Sequence, residues 1–161
     1  MNGRIWAIAG ASVVVATAGV TAAVSGGAVA APSGQTIHVV EMVTHATYVP
    51  IGHLTGSKAQ STQGDYITFD DPLVDPGTTT HVGRIRGTCW LTTPKTGLFW
   101  CSVEFTLNGK GEVDSNGLFD SSGKTTTASI SGGSGSFQDA TGTVAVTGLS
   151  QTRNDFVLTI G

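Results

Sequence analysis

From Val82 to Leu107 apolar and polar residues alternate with a period of two, interrupted only around Pro94-Lys95-Thr96. No other feature of the sequence constrains the fold as strongly. A period of two describes a strand whose faces meet different environments. With Pro94–Thr96 as the turn, the two arms form a hairpin in which Cys89 opposes Cys101, Trp90 opposes Trp100, Leu91 opposes Phe99 and Arg86 opposes Glu104. One face then carries Ile85, Gly87, Cys89, Leu91, Phe99, Cys101, Val103, Phe105 and Leu107, and the other Arg84, Arg86, Thr88, Trp90, Trp100, Ser102, Glu104 and Thr106. A slip of one residue would mix the two sets and bury charge, so the register is well specified. Directly opposed residues bring their Cα atoms to about 4.5–5.5 Å, within reach of a disulfide.

The rest of the chain repeats this grammar. After residue 35 no segment keeps a 3.6-residue apolar period; short alternating runs are punctuated by Gly, Asn-Gly, Asp and Pro. Strands are expected at Thr36–Thr44, Asp65–Asp70, Val82–Thr92, Leu98–Leu107, Glu112–Phe119, Thr125–Ser131, Thr143–Leu149 and Asp155–Ile160. Asn108-Gly109 reads as a tight turn, and Asn116-Gly117 as a bulge or bend inside a strand. Thr78–Thr80 and Gly132–Ser136 read as loops, and Ala46–Gln63 is left without a strand. About eight strands at this spacing predict an all-β sandwich or closed barrel.

Residues 1–30 stand apart. Arg4 precedes a stretch without charge from Ile5 to Val24, and Ala28-Val29-Ala30 leads into Ala31-Pro32. This is the pattern of a secretory signal peptide cleaved after Ala30; the alternative is a membrane anchor retained through residues 5–24. The expected domain is therefore 31–161, secreted. Removing residues 1–30 takes away Arg4, which leaves 7 Lys+Arg against 11 Asp+Glu, a net of −4. Such a charge argues against nucleic acid or an anionic membrane as the main partner. Outside the cytoplasm the even cysteine count favours a Cys89–Cys101 disulfide. Closing that short loop should stabilise the fold by roughly 3 kcal/mol on the chain-entropy model.

Few residues carry reactive chemistry. In the first strand Ile37, Val39, Glu41 and Val43 share a face. If that face points inward, Glu41 is a carboxylate on an apolar wall, its pKa raised by desolvation into the range useful for proton transfer. The alternative places it at the rim, against solvent or an Arg. His38, His45, His53 and His81 follow no metal-ligand spacing, so no metal site is expected. Asp70, Asp71 and Asp75 flank prolines and read as turn-capping residues. Trp90 and Trp100, opposite the cysteine face, form either a subunit interface or binding platform, or an aromatic pair covered by Ala46–Gln63. No nucleophile elbow or phosphate-cradling loop is present.

The run Ser129-Ile130-Ser131-Gly132-Gly133-Ser134-Gly135-Ser136-Phe137-Gln138-Asp139-Ala140-Thr141-Gly142 resembles the signature of the allene oxide cyclase and dirigent families. Gly64-Asp65-Tyr66-Ile67-Thr68-Phe69, Gly87-Thr88-Cys89 and Phe105-Thr106-Leu107-Asn108-Gly109 follow the same pattern, so the likeness runs from about Ile37 to Ile160. The resemblance implies an eight-stranded antiparallel β-barrel with an apolar cavity, often trimeric, in a bacterial secreted branch. Allene oxide cyclases close a fatty-acid epoxide without a cofactor, dirigent proteins steer phenoxy-radical coupling, and related bacterial barrels fold polyketide chains. Confinement is the shared device, supplying proximity and orientation. On this likeness Glu41 is the cavity glutamate, and Val39, Val43, Ile85, Leu91, Phe99, Val103 and Phe105 contact an apolar small-molecule ligand. Asp71 stands near another polar position of the family. Two positions depart from the pattern: Val43 stands where a polar residue is expected, and Cys89, the cavity cysteine by resemblance, has a disulfide partner. The function expected is a cofactor-free cyclase, isomerase or steering protein, or alternatively a non-catalytic binder of lipid-like or phenolic ligands or of a protein.

Overall fold

The computed structural model describes residues 34–51 and 61–161. The N-terminal apolar segment and His53 lie outside the described residues. Among the described residues there are nine strands: β1 (Gln35–Met42), β2 (Ala46–Val49), β3 (Tyr66–Val74), β4 (His81–Thr93), β5 (Leu98–Leu107), β6 (Gly111–Asp120), β7 (Thr126–Gly135), β8 (Gly142–Ser150) and β9 (Arg153–Ile160). Neighbours from β3 to β9 pair antiparallel in chain order, and β1 pairs with β9 on one side and β3 on the other. That closure makes an eight-stranded antiparallel barrel. The central hairpin has the expected register, Cys89 facing Cys101 and Trp90 facing Trp100, down to Gly83 facing Leu107. Cys89 and Cys101 are disulfide-bonded. A Cys89→Ser/Cys101→Ser variant should lose roughly 3 kcal/mol of stability, read as a lower urea midpoint against the oxidised parent.

The ninth strand is a correction to the sequence reading. β2 falls in the stretch left without a strand and pairs with the first half of β3, Ala46 opposite Phe69 through Val49 opposite Tyr66. β1 and β2 are two pieces of one barrel stave, since β1 pairs with the far half of β3 at Val40–Val74 and Glu41–Leu73. Between them the chain bulges at Val43–His45. There the Thr44 and His45 N–H groups donate to the Asp71 carboxylate instead of a strand backbone, at 2.5 and 2.7 Å. Asp71 and Pro72 thus sit inside β3, beyond the strand end expected at Asp70. Proline is tolerated because β3 has no ladder partner on that side at this point. A second acid pins the far side of β2. Buried Asp65 accepts hydrogen bonds from the Tyr48 hydroxyl, the Ile51 N–H and the Thr62 N–H and hydroxyl. These bonds, led by that from Tyr48, hold its carboxyl well below the usual carboxylate range.

The two ends of the barrel differ. One is plugged by Leu73, Val113, Phe137, Leu158 and Ile160, all fully buried. Phe137 reaches this position because β7 continues through Gly132–Gly135, read from sequence as a loop, and the chain then turns back over the barrel end. Gly133 permits the fold-back: a Cβ there would sit 2.2 Å from the Glu112 carbonyl oxygen and 2.7 Å from that of Phe137. Asn116-Gly117 does not break β6, which pairs with β5 throughout; the bulge against β7 lies at Asp114–Ser115. Above the plug Phe105 and Phe156 meet edge to face at 5.2 Å. Beyond them the barrel opens.

Candidate functional site

The open half of the barrel encloses a cavity of about 560 Å³, in the size range of small-molecule sites. Its walls follow from strand alternation. Ile67 and Phe69 of β3, Ile85 and Cys89 of β4, and Phe99, Cys101, Val103 and Phe105 of β5 face inward; Gly117, Phe119, Ala128, Val144, Val146 and Phe156 complete the ring. Gly117 is an inward position without a side chain, where a Cβ would lie 2.5 Å from that of Ala128. The mouth is bounded by the β6–β7 turn at Ser121–Gly123 and the β8–β9 turn at Leu149–Gln151.

Of the ligand-contacting residues expected from sequence, Val43, Ile85, Phe99, Val103 and Phe105 line this cavity. Val39 and Leu91 are buried in apolar clusters and do not reach its wall. Val39 lies toward the plugged end, and Leu91 packs behind the disulfide.

Glu41 is the expected acid, and it points inward, 3 % exposed. It does not meet an Arg at the rim. Asn154 of β9, directly opposite on the ladder, donates from Nδ2 to Glu41 Oε2 at 2.6 Å. Asp71 of β3 lies diagonally across, fully buried, and also lines the cavity. Burial pushes the Glu41 carboxyl up to about 7 despite the Asn154 bond, and the charge of Asp71 and a hydrogen bond with it push in the same direction. The two oxygens of Asp71 differ. Oδ1 accepts three hydrogen bonds, from the Thr44 N–H, the Thr44 hydroxyl and the His45 N–H, whereas buried Oδ2 has no partner. A protonated Glu41 supplies the donor that Oδ2 lacks. The floor of this mostly apolar cavity therefore holds two neighbouring acids, Glu41 and Asp71, steadied by one amide.

The family likeness points loosely to Asp71 and not to Asn154, although alternation carries the signal for both. Ile67, Phe69, Asp71 and Leu73 share a face if β3 runs past Pro72, and Asn154, Phe156, Leu158 and Ile160 share one if β9 begins a residue earlier. Of the supposed turn-capping acids only Asp75 caps a turn, accepting the Gly77 and Thr78 N–H groups; Asp70 pairs with Arg84 on the outer surface. Among the described residues no group of three or more His, Cys, Asp or Glu is placed to hold a metal ion. Trp90 and Trp100 are exposed on the outside of the barrel.

Comparison with known proteins agrees with this architecture. A pyocyanin demethylase superposes with a TM-score of 0.67 at 23% identity, over 79% of this chain and 100% of its own. A pterocarpan synthase dirigent protein gives 0.66 at 14% identity, over 81% and 96%. An exo-specific intermolecular Diels-Alderase gives 0.59 at 15% identity, over 80% and 98%. At these identities the likeness is one of fold. No curated protein matches in sequence. The model of the allene oxide cyclase barrel like domain matches residues 40–158, from the strand that bears the buried glutamate to the last strand of the barrel, and the chain belongs to that family.

Proposed function

We propose that this barrel confines an apolar small molecule and rearranges it by cofactor-free isomerisation or cyclisation, with Glu41 as the proton carrier. The observation that carries this reading is the Glu41–Asp71 pair at the floor of a mostly apolar cavity. A carboxyl that titrates near neutrality both donates and recovers a proton there. Glu41 lends its proton to a polar atom of the substrate and takes it back when the bonds have rearranged, so nothing is consumed. Asn154 holds the carboxyl in place, and the walls restrict the substrate to few conformers. A substrate suited to this site carries one polarisable oxygen or nitrogen at the end that reaches the floor and apolar bulk toward the mouth. Relatives of the same fold include a dirigent protein and a Diels-Alderase, which supports a steering or ring-forming role. The Cys89–Cys101 bond supports export to an oxidising compartment.

Native mass spectrometry of gently purified protein tests the confinement. An apolar molecule should be retained by the parent chain and lost when Ala128→Phe fills the cavity from β7, with thermal stability kept. Equal retention by both proteins would place the ligand elsewhere and remove the reading. A purely non-catalytic binder would behave identically in this assay; it separates from the enzyme at Glu41.

A further inference from the structure

Among the described residues that line the cavity, Glu41 and Asp71 are the only titratable side chains, and none is Lys, Arg or His. Neither acid takes part in an ion pair with a described residue. The cations closest along the chain face elsewhere. Arg153 precedes Asn154, whose side chain lines the cavity, so strand alternation puts Arg153 on the other face of β9. His45 gives Asp71 its backbone N–H, while its exposed ring bonds to the Thr44 hydroxyl. Arg84 and Arg86 pair with Asp70 and Glu104 on the outer surface. Two acids thus stand together in a buried site without a counter-charge. Asp71 Oδ2, fully buried, finds no N–H donor among the described residues.

This asymmetry sorts ligands by charge. A carboxylate or phenolate brought here adds a negative group that no lining cation answers, and a buried unpaired charge is strongly disfavoured. A nitrogen cation has the opposite effect. We infer that the cavity selects an organic base, an apolar body carrying one basic nitrogen, and holds that nitrogen as a cation between Glu41 and Asp71. The inference rests on the apolar-ligand reading above and narrows the polar end of the ligand to a basic nitrogen. A base that arrives neutral takes the Glu41 proton, so that an O–H bond breaks and an N–H bond forms. A base that arrives protonated expels the Glu41 proton to water. Either way both carboxylates are charged in the complex, and the cation supplies the N–H donor that Asp71 Oδ2 lacks. Such charge-assisted bonds are about twice as strong as neutral ones. The walls fit the same guest. Phe69, Phe99, Phe105, Phe119 and Phe156 line the cavity, and ring faces attract a cation as well as cover an apolar body. At the mouth Ser121, Ser122, Ser150 and Gln151 are polar and uncharged, so the described lining offers an acid no cation at either end.

Calorimetric titration of the full chain at neutral pH compares three probes of one shape: 4-phenylbutylamine, 4-phenylbutan-1-ol and 4-phenylbutanoate. The amine should bind about tenfold or more tightly than the alcohol, the difference between charge-assisted and neutral hydrogen bonds. The carboxylate should bind more weakly than the alcohol. Because the Glu41 carboxyl titrates near 7, the amine should release protons to the buffer and the alcohol none, read from binding heats in two buffers of different ionisation enthalpy. Glu41→Gln should abolish that release and keep the amine ahead of the alcohol, since Asp71 still carries its charge. Glu41→Gln/Asp71→Asn should bring the amine level with the alcohol and leave the alcohol's Kd unchanged. Ala128→Phe should abolish binding of both. In the parent chain alone, an amine that binds no tighter than the alcohol, or a carboxylate that binds tighter, overturns the inference and leaves the cavity reading standing. Binding that survives Ala128→Phe places the probes elsewhere and sinks both. No binding of any probe also overturns the inference, and the native mass spectrometry above then tells whether the cavity reading falls with it.

Discussion

Replacing Glu41 with glutamine slows turnover by about 10²–10⁴-fold and leaves ligand retention nearly intact. The size is that of removing a positioned general acid–base group. Glutamine keeps the shape: its carbonyl can still accept from Asn154 Nδ2 and its amide can donate to Asp71 Oδ2, so the floor stays packed and satisfied. What disappears is the exchangeable proton. In the parent protein the carboxyl titrates near 7, so its protonated form dominates below neutrality. A proton-donor role gives a rate that falls as pH rises through that value, and this limb should vanish in Glu41→Gln. Turnover measured on the retained substrate across that range, alongside native mass spectrometry of both proteins, decides the matter. An unchanged rate would dismiss Glu41 as the carrier and leave the barrel a binder.

The hairpin was legible in the sequence because two physical constraints coincide there. Strand alternation separates charged from apolar residues, and a disulfide tolerates only one pairing. Six of the eight barrel staves lack that second constraint, yet alternation between turn residues located them within a few positions. The errors fall where backbone groups are satisfied by side chains. β2 is only four residues long and three of them are exposed, so it has no buried face to produce alternation. The β1–β2 bulge is held by Asp71, a contact between residues 27 apart that no local pattern announces. Pro72 looked like a strand end because a proline in a fully paired strand forfeits a ladder bond; the bulge across from it removes that cost. Glu41 was legible for the opposite reason, as a charge inside an apolar run. Its partners were less so: Asp71 stands near a family polar position but also resembles a turn residue beside Pro72, and Asn154 lies just outside the strand expected at Asp155–Ile160.

Asp71→Ala costs the fold about 3–4 kcal/mol, whereas Asp71→Asn costs much less and changes how stability depends on pH. The alanine variant removes the charged acceptor of the part-buried bonds from the Thr44 and His45 N–H groups, and a hydrogen bond to a charged group contributes about 1.5–3 kcal/mol. Asparagine keeps an oxygen at that position. It also takes away the negative charge beside Glu41 and offers an amide donor where an acceptor stood, so both contributions of Asp71 to the raised Glu41 pKa are lost. In the parent chain Glu41 is protonated in both states below its ordinary value of 4.5 and contributes nothing to the pH dependence there. Between 4.5 and about 7 the unfolded chain releases this proton while the folded chain keeps it, so stability declines as pH rises. The full decline is roughly 3 kcal/mol, complete above the folded value. Asp65, Asp75 and Asp120, whose carboxyls are held low, act in the opposite sense and at more acidic pH. Subtracting urea melts of Glu41→Gln from those of the parent, pH by pH, isolates the Glu41 contribution. The same subtraction in an Asp71→Asn background should give a smaller decline that ends at lower pH. An unaltered decline would mean that burial alone sets the Glu41 pKa and that the two carboxyls do not share a proton.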